Sequence, residues 1–378
     1  MTEVEVPRLV IGGDEYAGWT SLIVSRGIER AAASFRIELT ERWPGRQEDW
    51  RILPGDACEL YMGDDLVVTG HVEQFRPTFE AEDHFVRVGG RSKTGDLIDS
   101  SAVVRSGQFK GYDLQQIAEA LAEPFGIEVE AEVDVGEPFD DVQVQQGESV
   151  FDLIERLCRM RALLATDTPD GALRLTQAGE GRAEGALIQG DNILRAAGDL
   201  DWSRRHSHYI VKGQAAGNDQ RAGEAAAQPV AEQRDPAIER HRPLIIVAES
   251  GIDDADAEKR ARWEAKRRAG RAVRANIEVQ GWRQTPGGRL WTPNEMVSVD
   301  APWLGLSREM LVTEVVFQLS EIGTVTTLQL GLPDAFKPEP VTEDADDEPA
   351  PAAPEPMPER TRGMWDDVQP IPSRELID

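Results

Sequence analysis

Met310–Leu319 reads MLVTEVVFQL. Its β-branched and aromatic residues suit a pleated, half-buried surface. Leu311, Thr313, Val315, Phe317 and Leu319 stand at every second position, so the alternation places them on one face of a strand. Outward from this run, NIEVQGW (276–282), LW (290–291), MVSVDAPW (296–303) and VTTLQLGL (325–332) are short apolar segments broken by Gly, Pro and polar residues. The first hundred residues have the same texture. Arg8–Ile11, Thr20–Val24 and Ser34–Leu39 are short strands in the reading. Leu66–Phe75, LVVTGHVEQF, passes through RPTFEAEDH into FVRVGG as a hairpin with a polar tip. Strands so short and closely spaced point to a small barrel or sandwich and not to a parallel α/β sheet.

The middle of the chain changes period. In DLQQIAEALAEPFGI (113–127), Leu114, Ile117, Ala118 and Leu121 recur at helical spacing behind Asp113 as N-cap, and Pro124 and Gly126 end the helix. SVFDLIERLCRMRALLA (149–165) is a second helix. Ser149 and Asp152 stand at capping-box spacing, and Phe151, Ile154, Leu157 and Cys158 form its apolar stripe. TPDGALRLTQ (168–177) then turns into a strand. Gln214–Arg234 lacks an apolar period and reads as a loop inserted at 214–234. A solvated helix over 255–275 follows, rich in Arg, Lys, Glu and Ala, with Trp263 as its single large side chain. The fold class is therefore mainly β with an α+β middle. Past Lys337 the composition shifts: residues 337–362 hold seven prolines and eight acids, which makes an extended, disordered acidic linker. The last piece, GMWDDVQPIPSRELID (363–378), regains apolar residues and reads as a docking peptide. Trp365 is its main anchor and Ile371 and Leu376 are secondary ones.

Charge excludes several functions. The 378 residues carry 41 Lys and Arg against 69 Asp and Glu, a net of −28. Such a chain is unsuited to gripping phosphate backbones or anionic membranes. No apolar run approaches the length of about 18 residues that a membrane span needs. MTEVEVPRLVIGG at the N-terminus carries no secretory signal. Cys58 and Cys158 form neither a metal spacing nor a disulfide framework; they read as buried structural thiols of a protein folded in a reducing cytosol.

Chemistry-bearing motifs are lacking. There is no phosphate-loop GxxxxGK[ST], no HExxH and no GxSxG. Gly89–Gly95, GGRSKTG, has its Gly and Lys in the wrong order for a phosphate loop and reads as a strand-to-loop turn. Of the histidines at 71, 84, 206, 208 and 241, His206 and His208 would share a strand face, without a third ligand nearby in sequence. The pairs Asp140 and Asp141, and Asp253 and Asp254, read as loop and N-cap residues. Trp282, Trp291 and Trp303, set among strands and turns, read as packing or interface residues. No catalytic residue, no metal and no cofactor is expected.

Longer motifs carry a resemblance. IGGDEYAGWTSLIVSRGIERAAASFRIELTERWPG, LPGDACELYMGDDLVVTGHVEQF, VGGRSKTGDLIDSSA, SVFDLIERLCRMRALLATDTPDGALRL, RARWEAKRRAGRA, VQGWRQTPGGRLWTPNEMVSV and LGLPDAF together resemble the baseplate hub protein of Mu-type contractile-tailed phages, a family related in fold to the T-even phage hub and to the hub part of VgrG-type spikes. The resemblance runs from Val6 to Phe336; GRSKTGDLIDSSA and the pairing of GW with LWTPN are its specific parts. It implies two tube-type β-barrels around an intervening domain. Residues 1–96 would be the first barrel, 97–200 a mixed α/β domain with a LysM-like segment at 145–178, and 201–336 the second barrel with the loop 214–234 and the helix 255–275. It further implies a homotrimeric ring that adapts the sixfold tail tube to the threefold central spike, touches tube, spike and wedge proteins, and lets DNA pass in transit during ejection into the host. Localisation would be the tail baseplate of the virion, after assembly in the host cytoplasm. An acidic lumen would keep phosphate off the channel wall. Two alternatives stand beside this structural role. One is a peptidoglycan-binding or hydrolysing tail-tip module, which needs a catalytic acid in a cleft. The other is the hub of a tailocin or secretion-type injection device.

Overall fold

The computed structural model describes residues 5–41, 52–79, 84–161, 163–212, 230–247 and 254–336. The N-terminal part holds β1 (Pro7–Ile11), β2 (Asp14–Tyr16), β3 (Ser21–Gly27), β4 (Ser34–Glu41), β5 (Ala57–Met62), β6 (Asp65–Phe79) and β7 (His84–Ser92). The middle holds α1 (Gly95–Asp99), β8 (Gln108–Phe109), α2 (Leu114–Ala122), β9 (Val129–Ala131), β10 (Val142–Gln143), α3 (Val150–Arg161), β11 (Leu164–Asp167) and β12 (Leu173–Thr176). Then come β13 (Gly181–Ile188), β14 (Ile193–Leu200), β15 (His208–Lys212), β16 (Val230–Arg234), β17 (Pro243–Val247), α4 (Asp254–Arg271), β18 (Val273–Gln280), β19 (Glu295–Ala301), β20 (Leu306–Ser320) and β21 (Gly323–Gly331).

The chain is mainly β with an α+β middle, as its periodicities require. The two β ends do not form separate closed barrels among the described residues. They share one 13-stranded sheet whose path runs β14-β18-β21-β20-β3-β4-β7-β6-β5-β1-β2, with β13 and β19 joined through β20. The join is made by the stretch 310–319. One edge of β20 pairs with β21; along its other edge, Leu306–Leu311 pairs with β19 and Glu314–Leu319 pairs with β3. A register shift between Val312 and Glu314 separates the two halves. This bulge inserts one residue and changes the face that the alternation predicts. Met310 and Val312 before it, and Val315 and Phe317 after it, enter the main core. Leu311 is instead buried on the other face beside Met296 and Gly179, and the Thr313 hydroxyl donates to Gln329 O.

The main core draws on both ends at once, including Leu22, Val24, Ile37 and Val88 from one and Ile277, Trp282, Val315 and Phe317 from the other. The middle has its own core, built on Leu114, Ile117, Leu121, Leu153, Ile154 and Leu157. Asp113 caps α2 reciprocally: its carboxylate accepts the Gln116 amide at 2.8 Å, and Gln116 Oε1 accepts the Asp113 amide at 3.0 Å. Left-handed Gly126 (φ 63°) ends the following 3-10 turn, where the Pro124 signal placed the stop. Ser149 Oγ accepts the Asp152 amide at 3.0 Å at the start of α3. The α3 stripe is Val150, Leu153, Ile154, Leu157 and Cys158; Phe151 is half-buried at its margin.

The loop expected over 214–234 is corrected at its end. Val230–Arg234 is β16, paired antiparallel with β15, and β17 adds to β15 in parallel. Ala231 and Val211 pack there against Ala257 and Ala261 of α4; β16 itself is VAEQR, with only its first two residues apolar. Residues 213–229 lie outside the described residues. The helix expected to 275 stops at Arg271, because Val273–Gln280 pairs with β14 and β21.

Candidate assembly surfaces

The sequence-predicted anchors Trp365, Ile371 and Leu376 lie outside the described residues, as does the linker 337–362. The other singled-out residues can be placed. Trp282 and Trp291 are buried in the main core, and Trp282 Nε1 donates to Gln318 O at 3.0 Å. Trp303 is 68% exposed on a 3-10 turn. Gly89–Gly95 is the end of β7 and its turn into α1. Asp140 and Asp141 lie in a loop, where Asp141 accepts Gln143 Nε2 at 2.8 Å; Asp253 lies outside the described residues. His206 and His208 do not share a strand face, because β15 begins at His208. The His206 ring stacks edge-on against Tyr209, and His208 Nδ1 lies 2.8 Å from Ser207 Oγ. Among the described residues no group of three or more His, Cys, Asp or Glu is arranged to hold a metal ion.

Burial pushes the thiols of Cys58 and Cys158 up to about 12, with nearby carboxylates adding to the effect. A thiol so shifted holds little thiolate. At pH 8 both cysteines should react with a thiol reagent at least about a hundredfold more slowly in the folded chain than in urea, since the thiolate is the reacting form. Comparable rates would show that the two sites open readily.

Long-range polar contacts fasten the parts together. Arg283, in the β18–β19 connection, donates to Asp65 Oδ2 at 2.6 Å, to Glu5 Oε1 at 2.6 Å and to Gly288 O at 2.7 Å. Arg205 and Asp235 form a buried, doubly hydrogen-bonded pair at 2.9 and 3.0 Å. Asp167, at the end of β11, is 7% exposed and lies where the middle meets β3 and β7. Burial pushes its carboxyl up, against the opposing pull of Arg26, the Ala33 amide and the Ser92 hydroxyl. Its Oδ2 has no hydrogen-bond partner. A carboxyl with a raised folded-state pKa binds more protons folded than unfolded across the interval between the two values. Its contribution to stability therefore falls as pH rises through that interval. Asp167→Asn removes this dependence. Urea titrations should show the variant gaining on the wild type as pH rises from below the ordinary Asp range, then holding a constant lead; a gap independent of pH would contradict the shift.

Asp167 and the upward-shifted Glu295 are both buried, at 7% and 5% exposure. Glu295 is held by Arg289 and by Gln284 Nε2 at 2.7 Å. A cavity of about 200 Å³ is lined by Glu29, Asp199, Arg271, Arg274, Asn276 and Gln329 among others. That is below the usual size of a small-molecule site.

Several features of the described surface are suited to contact. Edge strand β17 exposes Ile245 at 56% and Val247 at 66%. At the end of the main sheet, β14 exposes Leu194 and Leu200, and Trp202 is exposed just beyond it. Unpaired strand edges and exposed apolar side chains are common at protein interfaces. No described helix is long and apolar enough to cross a membrane.

Comparison with known proteins agrees along the chain. Residues 6–92 match the model for the N-terminal domain of Mu phage baseplate assembly protein GpP-like proteins. Residues 94–177 match the second domain of gp44-like baseplate hub proteins, and 253–339 the fourth domain of Mu phage baseplate assembly protein GpP. The chain is 33% identical over 317 residues to baseplate hub protein gp44 of Escherichia phage Mu, covering 82% of this chain and 83% of that one. The 43 kDa tail protein of prophage MuSo2 from Shewanella oneidensis shares its structure with a TM-score of 0.78 at 36% identity, over 88% of this chain and 99% of that one. A tail protein from Neisseria meningitidis MC58 shares the fold with a TM-score of 0.72 at 23% identity, over 88% and 99%.

Proposed function

The chain belongs to the baseplate hub protein family of Mu-like phages, and on that premise we propose that it forms a homotrimeric ring at the tip of the tail tube. The observation that carries this reading is 33% identity to a baseplate hub over 82% of the chain. In the ring, 1–96 and 201–336 serve as the tube-type units, and 97–200 lies between them, giving β13 and β14 to the shared sheet while its segment 145–178 has a structural role. Three copies then offer six such units to a sixfold tube while keeping threefold symmetry toward the spike. Open sheet edges and exposed apolar residues on β14 and β17 support an assembling subunit. Tube, spike and wedge proteins are its neighbours, and DNA passes through without being held. The net charge of −28 supports that passage, because an acidic wall repels phosphate. The role is structural and not enzymatic.

The test is the mass of the purified chain by light scattering together with a cryo-electron microscopy map of the assembled tail tip. A particle of three chains and a threefold ring under the tube are the expected results. A monomer or dimer at micromolar concentration with no ring in assembled tails overturns the reading. The segment 363–378 is a docking peptide for another subunit or another tail-tip protein, with Trp365 as anchor. Trp365→Ala and a truncation after Phe336 should both leave the trimer intact and recruit less partner into the tail tip. Normal recruitment in both removes the peptide's role.

A further inference from the structure

The two β ends repeat one strand plan. The first end runs β3-β4-β7-β6-β5 and the second β14-β18-β21-β20-β19. β6 and β20 are both 15 residues long, and each shifts register against its hairpin partner, at Val72/Gln74 and at Val312/Glu314. Aligned on these bulges, the ladders superimpose with a constant shift of 240 positions: Val72 on Val312, Gly90 on Leu330 and Phe35 on Ala275. The turns before β5 and β19 agree as well. Gly55 and Asn294 both have left-handed backbone, at φ 98° and 69°, and their amides donate to Val72 O and Val312 O. β14 takes the place of β3. Ala196 pairs with Ile277 as Leu22 pairs with Ile37, and Gly198 pairs with Ala275 as Val24 pairs with Phe35.

The repeat uses its edges unequally. In β20 the part after the bulge, Glu314–Leu319, pairs with β3 of the other end. That ladder buries Val315 and Phe317 of β20 and Leu22 and Val24 of β3. The corresponding parts are Gln74–Thr78 of β6 and the far half of β14. Among the described residues no strand pairs with either at that edge. Arg76, Pro77 and Thr78 are exposed, and so are Ala197, Gly198, Asp199 and Leu200. One junction between two like units uses one half from each. It leaves the complementary halves at the two ends of the pair, β6 on the first unit and β14 on the second.

We propose that copies of this chain join by repeating the β20–β3 ladder between subunits: Phe75–Thr78 of β6 in one copy pairs antiparallel with Ala197–Leu200 of β14 in the next. The internal register, carried over, sets Phe75 opposite Leu200, Arg76 opposite Asp199, Pro77 opposite Gly198 and Thr78 opposite Ala197. The side chains suit these places. Phe75 and Leu200 fall on the face that Val315 and Phe317 share in the internal ladder, and Phe75 already packs at the margin of the main core. Arg76 and Asp199 make a cross-strand pair of opposite charge. Pro77 has no N–H and costs the ladder at most one hydrogen bond. Internal and external junctions then alternate, and a head-to-tail contact of this kind closes into a ring. The inference rests on the ring reading above and deepens it by naming the strands that meet and their register.

The experiment is disulfide trapping in the full chain. In the internal ladder Thr313 O accepts the Ile28 amide, so Val316 and Gln318 stand in the non-hydrogen-bonded pairs. Their counterparts, Arg76 with Asp199 and Thr78 with Ala197, would have Cα atoms about 4.5 Å apart, within reach of a disulfide. Arg76→Cys with Asp199→Cys, and separately Thr78→Cys with Ala197→Cys, should on oxidation give linked chains that stop at three on a non-reducing gel and return to one with reductant. All four positions are exposed in the subunit, and the native Cys58 and Cys158 are buried. Arg76→Cys with Ala197→Cys is the offset control, with Cα atoms about 7–8 Å apart, and should link at least tenfold less. The wild type is sized in parallel by sedimentation velocity. If it sediments as a trimer and neither matched pair links, or the offset pair links equally, the inference is overturned and the ring reading stands. A disulfide closed within one chain also overturns the inference, because the two edges then meet in a single copy. A wild type that stays monomeric overturns both.

Discussion

Gly90→Ala should cost about 3 kcal/mol and most of the soluble yield, while Gly89→Ala, one residue earlier on the same strand, should be neutral or slightly stabilising. Both glycines lie in β7 with ordinary negative-φ backbone, so conformational strain does not separate them. The space around them does. A Cβ on Gly90 would stand 2.2 Å from His71 O and 2.7 Å from the Phe35 ring. Its first obstacle is strand backbone, which moves only if the β6–β7 ladder opens. A Cβ on Gly89 meets Phe35 O at 3.5 Å and Gln74 Cβ at 3.9 Å, which is ordinary contact. Gly70 on β6 repeats the close approach from the other side, with Arg91 O at 1.9 Å from its would-be Cβ, so Gly70→Ala should behave like Gly90→Ala. Chemical denaturation of the three variants decides the matter. Equal stabilities for Gly89→Ala and Gly90→Ala would show that the two strands have room to part.

Phe317→Ala should destabilise both β ends together, by about 3–5 kcal/mol, and leave the α/β middle protected. Phe317 is 1% exposed and sits opposite Val24, where β20 pairs with β3. Its cavity would open into a core that draws on strands from both ends of the chain. The middle buries its own set of residues, so its opening is a separate event. Hydrogen exchange provides the readout. Amides of β4 and β7 should lose protection in step with those of β18 and β21, while those of α2 and α3 change little. Loss confined to β18 and β21 would mean that the two ends are independent units joined only at their margin.

The architecture that makes this coupling was partly written in local sequence. The alternation of 310–319 identified a strand, because alternation is a property of neighbouring residues, but the strand begins four residues earlier, at Leu306, where it pairs with β19. The face was wrong from Leu311 to Thr313, because a bulge has no signature in an apolar run; it follows from β20 serving two partners on one edge. The helices α2 and α3 were legible with their caps, since capping spans four residues. β16 was not, because VAEQR is too short to show an alternation and its burial rests on Ala231 against an alanine face of α4. Composition singles out Trp365, Ile371 and Leu376 as proposed anchors, and the truncation and substitution described above test that role.

The candidate surfaces divide in the same way. Sequence alone determined the acidic balance, the lack of catalytic spacing and the longer motifs that carry family membership, since each is carried by residue identity and order. Tertiary structure alone decided that the first and last segments share one sheet and one core. The β20–β3 ladder and the Arg283–Asp65 contact join residues more than two hundred positions apart, the latter by 218. Pairing over such distances depends on which edges remain open after local elements form, and on the loop-closure entropy that the shared core must offset. Periods of two and 3.6 residues carry no record of either.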